Sequence, residues 1–159
     1  MPKQTVFALV TFLHDLFTAV WVGGLITLGI AVLPAARTAL GAGPDTQKLM
    51  TAIQKRLSVL VYVSILGLWV TGLLLSRRAP AFQGLFRAGN AYSAVLAAKH
   101  VLVALMVAIA LLRSLALKGA QKQVKLKMAL LMLNMALGIG ALLLSGFSAV
   151  LAGPTPPAM

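Results

Sequence analysis

The sequence predicts an all-α integral membrane protein, a four-helix bundle in a single transmembrane domain over residues 1–159, and three observations lead there. Hydrophobic residues make up 60% of the chain and mean hydropathy is +0.98, whereas a soluble domain is nearer half apolar and is broken by charge every few residues. The apolar residues fall into four runs, each long enough for a helix to cross a hydrocarbon core of about 30 Å. Nearly all of the 14 Lys and Arg lie between those runs, and only Lys99 lies well inside one. The formal charge of +12 therefore marks headgroup-facing loops. No stripe of Arg with interleaved aromatics points to nucleic acid. The chain has no cysteine, which excludes disulfides, Cys-ligated zinc, iron-sulfur clusters and haem attached through a CxxCH motif.

The first run, about 6–33, is interrupted only by His14 and Asp15 and gives about 42 Å of helix. A signal peptide has a shorter apolar region, about 7 to 15 residues, and would not carry a His-Asp pair. Pro34 and then Gly41-Ala42-Gly43-Pro44-Asp45 end the run. Asp45 or Thr46 is placed to cap a short amphipathic helix leading into the second run, about 57–75. Trp69, near the far end of that run, reads as an interfacial anchor. Ser76-Arg77-Arg78-Ala79-Pro80 stops it, and a loop with Phe82, Phe86, Arg87 and Asn90 follows. The third run, about 91–112, carries Lys99-His100. Residues 113–127 read as the most basic loop, and the fourth run, about 128–151, has Asn134 as its one strongly polar interior residue. Gly153-Pro154 begins a tail without charged side chains.

Four spans put both termini on one side. The loops after the first and third runs hold nine basic residues (Arg37, Lys48, Lys55, Arg56, Arg113, Lys118, Lys122, Lys125, Lys127), and the other side holds four (Lys3, Arg77, Arg78, Arg87). The nine are expected to be cytoplasmic, with both termini facing outwards from a bacterial cytoplasmic (inner) membrane.

Ionisable groups inside a membrane span are costly and are functional candidates by default. His14 and His100 each lie roughly 12 to 14 Å from the start of their helices, which run in the same direction, so the two imidazoles share a depth. On a straight helix His14 shares a face with Phe7, Thr18, Trp21 and Leu25, and His100 shares one with Ser93, Ala97 and Ala104, small residues that leave room for something flat. Two neutral imidazoles facing across a bundle, with no cysteine and few carboxylates, are the donor set of b-type haem, with His14 and His100 as iron ligands. The competing explanation is that each histidine simply bonds a neighbouring helix. Asp15 and Lys99 are rotated by about 100° in opposite senses from the histidines beside them, which puts both on one flank of the pocket. An Asp15–Lys99 ion pair, direct or through water, or a Lys99 contact to a haem propionate follows, with snorkelling of Lys99 to the outer headgroups as the alternative. Arg77, Arg78 and Arg87 are further propionate candidates. Trp21, seven residues after His14, would floor the cavity or pack the core. Gly23 points away from His14 and would let another helix approach closely. Met128, Met132 and Met135 have helical spacing and could pass Cu(I) between thioethers, although such spacing usually marks core. No hydrolase or nucleotide-binding motif occurs.

His14, six residues, then Trp21-Val22-Gly23-Gly24-Leu25, followed by Leu33-Pro34 and Arg37, resembles the copper-resistance D-like family of bacterial membrane proteins, and Lys99-His100 in a third span agrees. The pattern is also similar, distantly, to the membrane protoporphyrinogen oxidases of haem synthesis. The resemblance implies a four-helix bundle with iron ligated at the places of His14 and His100. Three functions are then expected in order: one-electron transfer by a bis-histidine haem near the outer face, exchanging with quinone or a small redox partner; protoporphyrinogen oxidation; and copper transport or homeostasis. Two histidines hold one such haem per chain, so a two-haem wire would require a homo-oligomer.

Overall fold

Helix is the only regular structure among the described residues, which in this computed structural model are 3–77, 82–84, 89–116 and 123–152. Arg78, Phe86, Arg87, Lys118, Lys122, the tail from Gly153 and the side chain of Lys3 lie outside them. Four long helices are laid out in order. α1 covers 3–40, α2 is Pro44–Ser76, α3 is Ala91–Leu111 continued by a π-helical turn over Leu112–Ala116, and α4 is Val124–Leu151. All four are long and apolar enough to cross a membrane.

α1 runs past Pro34, where the sequence predicts its end. Two π-helical stretches, Ala19–Gly23 and Thr27–Val32, interrupt its α-helical ladder. Pro34 falls in the first turn after the second stretch, where the hydrogen-bond partners change and a missing N–H costs least. Gly41, at φ +72°, ends the helix in a conformation that residues with a Cβ rarely adopt. α2 then starts directly at Pro44 behind an extended Gly43, so the expected short helix and the second span are one helix of 33 residues. Neither Asp45 nor Thr46 caps it through a side chain. The Thr46 hydroxyl turns back instead and donates to the carbonyls of Gly41 and Ala36, which ties the α1–α2 turn. α3 begins at Asn90, whose Oδ1 accepts the Ser93 N–H at 2.7 Å.

α1 lies along α2, α3 lies along α4, and the later part of α1 meets α4. α1 and α2 approach closely at Gly67, where a Cβ would run into the Phe17 ring. Trp21, Val22, Leu25 and Leu28 of α1 meet Met50 of α2, Met106 of α3 and Leu131 and Ala141 of α4 in one core. The surface inverts that of a soluble protein: Val150 is 80% and Leu66 69% exposed, while Asn134 is 1% and Ser93 0% exposed. A helix surface this apolar suits hydrocarbon as its surroundings.

Candidate functional site

His14 is half-buried in the first α-helical part of α1, five residues before the ladder widens at Ala19. Its Nδ1 lies 2.9 Å from Thr71 Oγ1 of α2. The Thr71 hydroxyl proton is already committed to the Gly67 carbonyl at 2.7 Å. A hydroxyl has one proton, so Thr71 accepts and His14 Nδ1–H donates. In the neutral imidazole the lone pair then sits on Nε2. His100 arrives at the same tautomer from one turn of its own helix: Nδ1 lies 2.7 Å from the Leu96 carbonyl, which can only accept. Each histidine thus bonds through Nδ1 to a helix, and in the neutral ring its basic nitrogen is Nε2. A histidine that holds a metal usually has its other N–H anchored in this way.

Lys99 is half-buried, and its charge is close enough to act on both Asp15 and His14. A direct Asp15–Lys99 contact is not formed, because the one side-chain ion pair within 4.0 Å among the described residues is Asp45–Lys48, at 3.6 Å on the surface. Asp15 is exposed. It stands at the rim of an open groove of about 400 Å³ with Thr18, Val22 and Gly23 of α1 and Leu142 of α4. Its outward position, set by the 100° step from half-buried His14, keeps it from closing on Lys99.

Trp21 is buried to 1% exposure, and its Nε1–H has no acceptor among the described residues. It belongs to the core, as does Asn134, whose Oδ1 is likewise shielded and without a donor. Gly23 does not bring two helices together, since nothing comes within 4 Å of where its Cβ would be. The widened turn at Ala19–Gly23 places it on the groove instead. Beside His100, Ser93 is fully enclosed, with its Oγ accepting the Gln83 N–H, whereas Ala97 is half-buried and Ala104 exposed. Met132 and Met135 of α4 both turn sulfur toward Gly29 of α1. Among the described residues no three His, Cys, Asp or Glu side chains gather to hold a metal ion.

Thr71 is the site residue that sequence reasoning missed. A lone threonine in an apolar run gives no signal of its own until the helix that carries His14 is placed beside it. Arg113 was assigned to a loop and is instead half-buried in the π-helical turn that ends α3. No family model, no curated protein and no solved structure matches this chain.

Proposed function

We propose that the chain is a b-type haem protein of the bacterial cytoplasmic membrane, a four-helix bundle that uses His14 and His100 as the two axial ligands and transfers single electrons near the outer face. The observation that carries this reading is the matched tautomer: both Nδ1 atoms are anchored on helix groups, which makes Nε2 the basic nitrogen of each neutral ring. The donor chemistry fits: two neutral imidazoles without thiolate or a third carboxylate suit haem iron better than a closed protein-only metal site. When bound, the haem would supply a reversible one-electron couple.

Thr71 keeps the His14 ring from turning, and Leu96 does the same for His100. Lys99 adds a positive charge on the flank of the site, where it is placed to balance a propionate. Trp21 fills the core. Held by two histidines, the haem would disfavour simple oxygen binding and would supply electron exchange with a quinone or small carrier. The resemblance to copper-resistance D-like proteins supports the same ligands. It also keeps a copper reading alive on one observation, the paired sulfurs of Met132 and Met135 against Gly29.

The test is the reduced-minus-oxidised optical spectrum of the full-length protein purified from haem-replete membranes. A stoichiometric low-spin b-type signal is expected. Colourless protein that stays colourless on addition of haemin would reject the proposal. Copper retained through Met132 and Met135 would favour the second reading.

A further inference from the structure

We propose that Arg113 holds the phosphate of an anionic membrane phospholipid, in a site where α3 ends against α2. This does not depend on the haem reading. Arg113 lies in the π-helical turn Leu112–Ala116, three residues from its end and so roughly 5 Å from the helix terminus, at headgroup depth. The side chain is half-buried, and among the described residues nothing accepts from its shielded Nε–H. Beside it the Ser114 and Tyr62 hydroxyls bond each other and tie α3 to α2, so the guanidinium is held at a fixed seam.

The chain cannot neutralise this charge from within. It has two acidic side chains. Asp45 is exposed and pairs with Lys48, about 26 Å along α2 from Tyr62. Asp15 belongs to the opposite half, level with Thr71 and about 13 Å along α2 from Tyr62, and faces Lys99. A partly desolvated guanidinium favours a hydrogen-bonded anion, and with Nε shielded its terminal nitrogens are the ones left to meet two oxygens of a phosphodiester. The exposed apolar helix surfaces suit lipid as their surroundings, which makes a lipid phosphate the acceptor at hand. A net-negative headgroup is preferred over a zwitterionic one, because Lys55, Arg56, Lys125 and Lys127 at the same end repel a choline and attract an anion.

The experiment is native mass spectrometry of the full chain in detergent titrated with phosphatidylglycerol, with phosphatidylcholine and inorganic phosphate as separate arms. Wild type is expected to retain one phosphatidylglycerol, and Arg113→Gln to bind it about tenfold more weakly. Lys125→Gln/Lys127→Gln should keep the retained lipid. Should Arg113→Gln fail to fold, Arg113→Lys preserves the charge and loses the fork, and weaker retention is again expected. Unchanged retention in the Arg113 variants overturns the proposal, as does an equal loss in the double lysine variant, which would mean general charge. Inorganic phosphate competing as well as the lipid would assign the site to a free anion. An acidic polypeptide that leaves with Arg113→Gln while lipid retention is unchanged would assign it to a protein partner.

Discussion

Thr71 decides how His14 is aimed, and the account makes it testable without any cofactor. Thr71→Val removes the acceptor and strands a half-buried Nδ1–H, so it should cost about 1–3 kcal/mol of stability. Nitrogen chemical shifts of His14 should report one tautomer, with the proton on Nδ1, in wild type and in Thr71→Ser, and a mixture in Thr71→Val. A single unchanged tautomer in Thr71→Val would mean that packing alone holds the ring. Asp15 and Lys99 make a second case. Because they interact across a gap and Asp15 is exposed, a double-alanine cycle should give a coupling below about 1 kcal/mol, not the 3 to 5 of a buried contact pair. His14, Asp15, Lys99 and Trp21 were legible because charge, scarcity and depth can be read along a span. Thr71 was not, because a lone threonine in an apolar run is silent until its partner helix is placed.

Helix ends were the less legible part. Hydropathy marks where the chain leaves the apolar layer, whereas a helix stops where its backbone hydrogen bonds stop. α2 therefore begins at Pro44, well before its apolar stretch, and α1 passes Pro34 by means of the Thr27–Val32 widening that no side-chain pattern announces. The same π-helical turns shift the face that a straight helix assigns to Gly23. The α1–α2 contact yields a paired prediction. Gly67→Ala drives a methyl group into the Phe17 ring, one turn from Thr71, and should destabilise by about 1–3 kcal/mol. Gly72→Ala meets His14 Cε1 at an ordinary 3.5 Å and should be neutral or mildly stabilising through helix propensity. Thermal unfolding in detergent compares the two, and equal effects would mean that the close approach at Gly67 is not a packing constraint.

Four apolar helices with polar groups inside and Leu and Val outside were foreseeable from composition, because a membrane leaves few alternatives for a chain of this hydropathy. Their pairing was not, since every span looks apolar on all sides and only contacts such as Phe17 on Gly67 select neighbours. The orientation proposed from nine basic residues against four predicts that a periplasmic reporter after Met159 is active and one near Lys118 is not. The reverse pattern would turn the site toward the cytoplasm. Shared ligation by His14 and His100 is the central claim, and the most direct measurement of it is the spectrum of each single alanine variant loaded with haem. His14→Ala and His100→Ala should each lose the low-spin signal, leaving apo-protein or five-coordinate high-spin haem; an unchanged low-spin spectrum in either variant would contradict it.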